Sequence, residues 1–273
     1  MRELAIIILQ HNTPEHVERN LMALQAANLP QDTEIIVVNN GGHGANERIA
    51  AASYSNLQVK FFETANDGFP KGNNFGLAQT EGKYYAFINP DIIVRPDTIE
   101  QMLNYLKSNT KVGIVAPQLI YPDGQLQDSF RTFPRLPDLF IKRIPWLRKL
   151  FPKRMFNYLM WGKNVEQSEA IDWAVGAFII VTSDCMQAIG KHDDSYFLFM
   201  SDVVICRDAW ERGFEVHYVA EAKATHNDKR VSDGSFLDYF RKKTIRIHVK
   251  DAIKYFWHYL FKSLPAGSPS GKK

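Results

Sequence analysis

The sequence predicts an α/β protein whose mostly parallel sheet is flanked by helices, with a basic amphipathic helix near its C-terminal end. Three observations support this fold class. Short apolar runs alternate with helical patterns through the first 115 residues, the runs are nearly continuous, and the composition of 45% hydrophobic and 23% charged residues is globular. Near-continuous apolar strands separated by helices are typical of parallel sheets that are covered on both faces.

The elements follow one another in regular alternation. Strands are predicted at 4–9, 34–38, 58–62, 84–88 and 113–115. Helices are predicted between them at 14–27, 45–53, 73–80 and 97–108. Thr13 and Asp97 are suitable capping residues for two of these helices. Because ligands bind at the carboxyl ends of strands in open α/β sheets, the polar residues directly after each strand are candidate site residues.

The chain has no predicted transmembrane or export segment. Its longest uninterrupted apolar run, 173–181, is shorter than the ~18 to 20 residues of a membrane-spanning helix. The N-terminal run 4–9 is too short for the core of a signal peptide. Two cysteines, Cys185 and Cys206, suit a reducing compartment and make no zinc site. We therefore expect a cytoplasmic protein.

Positive charge is concentrated in two segments. Residues 131–163 contain nine Lys/Arg and one acid, Asp138, for a net charge of +8, and residues 236–262 carry +5. Because the total is +3, the rest of the chain carries −10. This asymmetry indicates an anionic partner, and the bulky aliphatic residues among the cations favour an anionic membrane surface over nucleic acid. Pro145 and Pro152 should divide the first segment into short helices.

The second basic segment predicts an amphipathic helix within 236–264. Its apolar residues recur at helical spacing: Ile245, Val249, Ile253, Phe256 and Leu260. Cations run beside them: Lys242, Arg246, Lys250 and Lys254. A helix packed on the body with a solvated basic face and a helix in contact with a membrane are both compatible with this pattern. The Pro/Gly/Ser/Lys-rich tail 265–273 is predicted to be disordered.

The residues after the strands exclude some enzyme classes and indicate another. Gln10, His11 and Asn12 follow the first strand without glycine, and the sequence has no P-loop, so dehydrogenases and P-loop enzymes are poor interpretations. The turn 39–42, Asn-Asn-Gly-Gly, could bind a base or ribose or could be an ordinary turn. The turn 89–91, Asn-Pro-Asp, could hold Mg²⁺ or Mn²⁺ with a substrate diphosphate, or could likewise be only a turn.

Six segments taken together resemble family 2 glycosyltransferases of the rhamnosyltransferase-like branch. They are LAIIILQHN from residue 4, EIIVVNNGG from 34, NDGFPKGNNFGLA from 66, YAFINPD from 85, IDWAVGAFIIV from 171 and FLFMSDVVICRDAWERGFEV from 197. The resemblance implies a GT-A fold with a Rossmann-like sheet over 1–235, in which 131–163 is an insert on the acceptor and membrane side. It also implies a nucleotide-diphosphate sugar donor, Mg²⁺ or Mn²⁺, and inversion at the anomeric carbon.

The resemblance assigns roles residue by residue. Asp202 matches the catalytic base, and Asp91 and His226 match the metal site. The predicted donor-binding residues are Gln10, Asn12, Asn39, Asn66, Gly68, Asn73, Asn74 and Asn89. The predicted acceptor-side residues are Trp173, Gly176 and Ala177. Simpler roles remain open for several of them: core packing for the stretch around Trp173, a non-ligand role for His226 and a helix cap for Asp202.

The chain departs from the family pattern at two places. Ser201-Asp202-Val203-Val204 stands where the family has E-D-x-D, and Val38-Asn39-Asn40 stands where it has V-D-N. The base position keeps its carboxylate, so we expect an inverting transferase that uses dTDP-rhamnose or a UDP-hexose. Its expected acceptor is a lipid-linked saccharide of surface polysaccharide synthesis at the cytoplasmic membrane face. A transferase with a soluble acceptor and a nucleotide-sugar-binding protein without turnover stay open.

Overall fold

The computed structural model of the chain describes residues 1–42, 54, 56–227 and 243–272. The strands in that part of the chain are β1 (Arg2–Gln10), β2 (Thr33–Asn40), β3 (Gln58–Thr64), β4 (Gly82–Ile88), β5 (Ile92–Val94), β6 (Val112–Ile120), β7 (Phe130–Arg131), β8 (Glu169–Ala170), β9 (Trp173–Ala174), β10 (Phe178–Thr182) and β11 (Glu215–His226). The helices are α1 (Pro14–Gln25), α2 (Phe69–Leu77), α3 (Thr98–Ser108), α4 (Leu136–Arg143), α5 (Pro145–Leu150), α6 (Pro152–Tyr158), α7 (Ser183–Ile189), α8 (Ser201–Glu211) and α9 (Lys243–Tyr259).

The main sheet confirms the predicted mostly parallel architecture. Among the described residues it has nine strands in the order β3-β2-β1-β4-β10-β6-β11-β5, with β8 paired to β11. Strands β1 to β4 pair in parallel, β11 is parallel to β6, and β10 runs antiparallel between β4 and β6. Strands β7 and β9 form a separate two-stranded sheet. The carboxyl ends of β1, β2, β4 and β11 therefore lie at one edge of the main sheet.

Both faces of β1 are buried, which explains its continuous apolar sequence. Ile6 and Ile8 pack into one core cluster with α1 and α3, whereas Ile7 packs into the cluster on the other face. All three side chains are fully buried. Successive side chains of a strand point to opposite faces, so a strand covered on both sides needs apolar residues at every position. Each such burial stabilises the fold by roughly 1.5–3 kcal/mol.

Some helices begin at residues other than those predicted from the side-chain pattern. The helix predicted at 73–80 begins at Phe69, because Pro70 is tolerated in a first helical turn. Thr13 and Asp97 occupy the N-cap positions of their helices, as predicted, but neither side chain makes a capping hydrogen bond; Asp97 Oδ2 instead accepts from Gln101 Nε2 at 2.7 Å. Helices do begin at Pro145 and Pro152, as predicted. The helix predicted at 45–53 lies outside the described residues.

Helix α9 packs on the body through a different face from the predicted stripe. Of the predicted apolar stripe, Ile245 is buried, whereas Ile253 and Leu260 are 64% and 58% exposed. The buried side instead includes Tyr255 and Tyr259, which join the core cluster of α8. The helix has apolar residues on more than one side, so spacing alone could not identify the packed face. No helix in the described ranges has both the length and the apolar character needed to cross a bilayer.

The C-terminal tail is ordered from 265 to 272, which corrects the prediction of disorder. Ser268 is fully buried, and its hydroxyl donates to Pro265 O at 2.9 Å. The backbone N–H of Ser270 donates to Asp172 Oδ1 at 2.9 Å. Composition indicated a segment with little apolar area to bury, but hydrogen bonds to the body supply the partners that its backbone requires.

The buried carboxylate of Asp251 joins α9 to the loop that precedes α8. It accepts from the backbone N–H groups of Phe197, Leu198 and Phe199 at 3.3, 3.1 and 2.9 Å. Asp251 is only 3% exposed. A single acid on the C-terminal helix thus fixes three consecutive residues of this loop.

We expect Asp251→Ala to lower the free energy of unfolding by roughly 2–4 kcal/mol, because three backbone donors lose their acceptor. Asp251→Asn keeps one carbonyl oxygen and should cost less. Urea unfolding followed by circular dichroism measures both, with the exposed Lys250→Ala on the same helix as a control within about 0.5 kcal/mol of the wild type. An Asp251→Ala protein as stable as that control would contradict the assignment.

Candidate active site

Two buried amides join the carboxyl ends of β1 and β2. Gln10 lies opposite Asn39 in the parallel register, and its Nε2 donates to Asn39 Oδ1 at 2.6 Å. Gln10 Oε1 accepts from Thr13 N at 3.0 Å, and Asn39 Nδ2 donates to Gly42 O. These bonds occupy the amides and fix the turns that follow both strands. Asn12 lies on the exposed turn after β1 with a positive φ of 57°, a conformation that asparagine tolerates.

A second group of polar residues lines the neighbouring part of this edge. Asn40 Nδ2 donates to Asn66 Oδ1 at 3.3 Å and to Gly68 O at 3.4 Å. His11 Nδ1 lies 2.7 Å from Asn40 O, so this ring nitrogen carries a proton and donates. The structure therefore brings Gln10, Asn39 and Asn66 to one edge, as predicted, together with His11 and Asn40.

Gly68 is required where the loop before α2 meets the loop before α8. Its φ is +107°, and a Cβ built on it would lie 2.5 Å from Phe197 O. The next residue, Phe69, donates its backbone N–H to that same oxygen at 2.6 Å. A side chain at position 68 would therefore separate the two loops.

Asn73 and Asn74 have structural roles that differ from the predicted donor contacts. Asn73 is 2% exposed and donates to Phe69 O at 3.0 Å within its own helix. Asn74 exchanges two hydrogen bonds with the backbone of His192, at 2.8 and 2.9 Å. Both amide groups of Asn74 thus already have one hydrogen-bond partner each, and its contact with a donor stays a prediction. The pattern of helical asparagines could not reveal this partner, which lies 118 residues away.

Asp91 and His226 meet at the end of β4, as the resemblance implied. Asp91 Oδ2 lies 3.0 Å from His226 Nε2, and the two side chains are 10% and 11% exposed. The pairing of β11 with β5 brings them together, because His226 lies opposite Ile92. Asn227 N also donates to Asp91 O at 3.0 Å. The pair therefore rests on regular backbone hydrogen bonds.

This pair suits a divalent cation. His226 Nδ1 lies 2.8 Å from Gln127 Oε1, and in the tautomer that donates from Nδ1 to this oxygen, Nε2 is available as a metal ligand beside the Asp91 carboxylate. Two ligands at about 2.1 Å from an octahedral ion are about 3.0 Å apart, which matches the observed separation. The described residues contain no group of three metal-binding side chains, so the remaining ligands would come from water and a diphosphate.

Asp202 lies in the first turn of α8, after Met200 in a left-handed conformation. Its Oδ1 accepts from Val203 N at 2.9 Å and its Oδ2 from Gly176 N at 3.4 Å. Burial raises the pKa of the Asp202 carboxyl above its ordinary range, while those hydrogen bonds and the charge of Arg131 act to lower it. A carboxylate with a raised pKa is a stronger proton acceptor than an exposed one.

Residues 176 and 177 connect the two acids. Gly176 donates to Asp202, and Ala177 O accepts from Asn89 N at 2.8 Å, two residues before Asp91. A Cβ on Gly176 would lie 3.1 Å from Asp202 Cβ, so glycine permits this close approach. Asp202 and the turn that bears Asp91 are thus both hydrogen-bonded to the two-residue segment 176–177.

The remaining acceptor-side residues pack in the core. Trp173 is 4% exposed, donates from Nε1 to Thr132 O at 2.8 Å, and lies under the Arg131 guanidinium at 5.1 Å. Ala177 is 2% exposed. The burial of both residues and the contacts of Trp173 favour core packing for these side chains. Three further residues contact the candidate site or the loop before α8, and no local motif marks them because their partners are distant in the sequence: Gln127, Arg131 and Asp251.

Comparisons with known proteins agree with this geometry. Residues 5–176 match the family model described as Glycosyl transferase family 2. The rhamnosyltransferase WbbL of Escherichia coli K12 is 25% identical over 264 residues, covering 92% of this chain and 91% of that protein. The N-acetylglucosaminyl-diphospho-decaprenol L-rhamnosyltransferase of Mycobacterium tuberculosis H37Rv is 23% identical over 237 residues, covering 82% of this chain and 76% of the relative.

Solved structures share the fold at low sequence identity. GalNAc-T7 with UDP, GalNAc and Mn²⁺ aligns with a TM-score of 0.64 at 12% identity, over 97% of this chain and 51% of that one. The mannosyltransferase PcManGT of Pyrobaculum calidifontis, with GDP-Man and Mn²⁺, aligns with a TM-score of 0.58 at 14% identity, over 85% of this chain and 58% of the other. The chain thus spans little more than half the length of these two solved chains, and its fold is of the GT-A type.

We expect Asp91→Asn to weaken Mn²⁺ binding strongly, because the site loses its charged ligand. Gln127→Ala should weaken it by about 10-fold or more through the orientation of His226. Electron paramagnetic resonance of free Mn²⁺, titrated in the presence of inorganic diphosphate, measures both. The control is Asp123→Asn, an exposed carboxylate in a turn. Equal Mn²⁺ affinity for all three variants would place the metal elsewhere.

Proposed function

The chain belongs to glycosyl transferase family 2, and on this premise we propose that it transfers a sugar, with inversion, from a nucleotide-diphosphate donor to a lipid-linked saccharide. The observation that supports this best is the segment 176–177, which is hydrogen-bonded on one side to Asp202 and on the other to the turn that bears Asp91. Two relatives named as rhamnosyltransferases make dTDP-rhamnose the first donor to test and a UDP-hexose the second.

Asp202 is the proposed general base. A sugar hydroxyl is a weak nucleophile, and a carboxylate within hydrogen-bond reach that accepts its proton accelerates attack by typically about 10²–10⁴-fold. The surroundings of Asp202 suit this task, because burial raises its pKa while two backbone N–H groups still stabilise the ionised form. The backbone N–H of Gly176 donates to the Asp202 carboxylate and so orients it.

Asp91 and His226 are the proposed holders of Mg²⁺ or Mn²⁺. When bound, such an ion would neutralise the charge that develops on the leaving nucleoside diphosphate. Gln127 keeps the His226 ring in the orientation that this requires. Inversion requires that the hydroxyl which Asp202 deprotonates approaches the anomeric carbon on the face opposite the leaving diphosphate. A single displacement of this kind inverts the anomeric carbon.

A nucleotide-sugar-binding protein with little or no turnover is the second candidate. It is favoured by the loss of acids around the base, since Ser201 and Val204 occupy positions where the family has acidic residues. Both are 3% exposed and pack in the first turn of α8. A transferase with a soluble acceptor is the third possibility, and it differs from the first only in what the acceptor carries.

We further propose that the enzyme lies on the cytoplasmic face of a membrane and binds no nucleic acid. Exposed apolar side chains occur on both basic segments: Trp146, Leu150, Phe151, Phe156 and Trp161 on the first, and Ile253, Trp257, Leu260 and Phe261 on the second. The segments lie near each other, because the Arg207 guanidinium contacts the rings of Phe133 at 5.8 Å and Tyr259 at 3.9 Å. Aromatic residues flanked by cations bind anionic bilayer surfaces.

Asp202→Asn should abolish nucleoside diphosphate release from dTDP-rhamnose or a UDP-hexose with Mn²⁺, because the base is lost, while donor binding is retained. Its stability at neutral pH should equal or exceed that of the wild type. A folded-state pKa above the unfolded value favours the fold at low pH, and that stabilisation is lost as pH rises through the folded pKa. Wild-type turnover in this variant would refute the base assignment; no turnover in the wild type with any donor would favour the binding protein.

Sedimentation with phosphatidylglycerol vesicles at low salt tests the membrane proposal. We expect the wild type to bind and to be released at high salt, because cationic attraction is screened. Trp257→Ala with Phe261→Ala should weaken binding, whereas Met22→Ala, which removes an exposed apolar side chain of α1, should not. Failure of the wild type to sediment at low salt, or equal loss in the two variants, would contradict the proposal.

A further inference from the structure

We propose that a pocket in the first basic segment binds the diphosphate and the adjoining prenyl units of an isoprenoid-linked acceptor. The pocket has a volume of about 610 Å³ and lies between α4, α6 and the C-terminal tail. The residues on which the proposal depends are Arg135, Lys153, Phe133, Tyr158, Leu150 and Phe151. It deepens the proposed function and rests on it, because it identifies what the acceptor carries beyond its sugar.

Two cations of this pocket lack an acidic partner. Arg154 Nε pairs with Asp138 Oδ1 at 2.6 Å, and Asp138 Oδ2 accepts from Arg135 N at 2.8 Å. The buried acid is therefore satisfied by one guanidinium and one backbone donor. Within the described part of the chain, the side chains of Arg135 and Lys153 form no ion pair, and both are exposed at the pocket. A diphosphate would supply the missing negative charge.

Apolar side chains form part of the pocket wall beside the polar residues Thr132, Asn157 and Ser270, and this apolar part distinguishes its ligand from a free anion. Phe133 and Tyr158 are 2% and 4% exposed and form its inner wall. Leu150 and Phe151 are 62% and 44% exposed and lie on its outer side. An inorganic anion gains nothing from such walls, whereas an isoprenoid diphosphate uses both the cations and the apolar surface. The exposed outer residues also belong to the proposed membrane surface, from which a lipid chain would enter.

A short stretch of chain connects this pocket to the candidate base. Arg131 lies close enough to Asp202 for its charge to lower the pKa of that carboxyl. Thr132 O accepts from Trp173, and Phe133 N donates to Asp172 Oδ2 at 2.8 Å, so residues 131–133 are fixed to the acceptor side. A sugar at Asp202 and its diphosphate in the pocket would therefore lie along one continuous stretch of the protein.

Direct binding of farnesyl diphosphate, measured by calorimetry in EDTA, tests the pocket without activity and without the metal site. We expect Arg135→Ala with Lys153→Ala to lower its affinity by about tenfold or more per cation removed. The matched control is Arg148→Ala with Lys149→Ala, two exposed cations of α5 outside the pocket. Phe151→Ala should weaken farnesyl diphosphate but not inorganic diphosphate. Circular dichroism verifies that every variant is folded.

Each outcome decides the proposal. Tight farnesyl diphosphate binding that is lost in the Arg135/Lys153 pair and kept in the Arg148/Lys149 pair supports it. Equal affinity for inorganic diphosphate would identify a free-anion site, and equal loss in both pairs would identify general surface attraction; either result overturns it. The proposed function fails separately, if the wild type transfers sugar to neither a lipid-linked nor a soluble acceptor. Transfer by a wild type whose pocket does not bind farnesyl diphosphate overturns the pocket alone.

Discussion

The candidate site depends on how closely the backbone at Gly176 approaches the start of α8. Glycine at this position lets its N–H reach Asp202, and the next carbonyl, that of Ala177, accepts from Asn89. The turn at 176–177, directly before β10, is thereby bonded to both halves of the site. A parallel sheet places many strand ends at one edge, but this antiparallel insertion of β10 between β4 and β6 brings the acid of α8 to that edge.

The C-terminal helix belongs to the same architecture. Asp251 holds the three residues 197–199 from one side, and on the other side Phe197 O accepts from Phe69 beside Gly68. The loop that leads into Asp202 is therefore fixed between α9 and the donor side of the sheet. A helix whose outer face we assign to a membrane thus also supports the residues next to the base. Two acids of the family motif are absent at the start of α8. Their absence is consistent with this dependence on packing, because Val203 and Val204 are buried in the core.

Most of the fold follows from local pattern, and much of the site does not. Apolar continuity predicted β1, β2 and β4, and the rule for parallel sheets placed Gln10 and Asn39 at one edge. The meeting of Asp91 with His226 depends on the β5–β11 pairing, which no spacing in the sequence specifies; the resemblance supplied it. The bond of Asn74 to His192 and the packed face of α9 could not be predicted, because the partners are distant in the chain. The ordered tail was missed because composition does not reveal hydrogen bonds to Asp172.

A crystal structure with Mn²⁺ and an unreactive nucleotide-sugar analogue tests the central claim most directly. The account predicts that the ion contacts Asp91 and His226, and that Asp202 faces the anomeric carbon from the side opposite the diphosphate. An ion bound at other residues, or an Asp202 carboxylate separated from the sugar by protein, would contradict it.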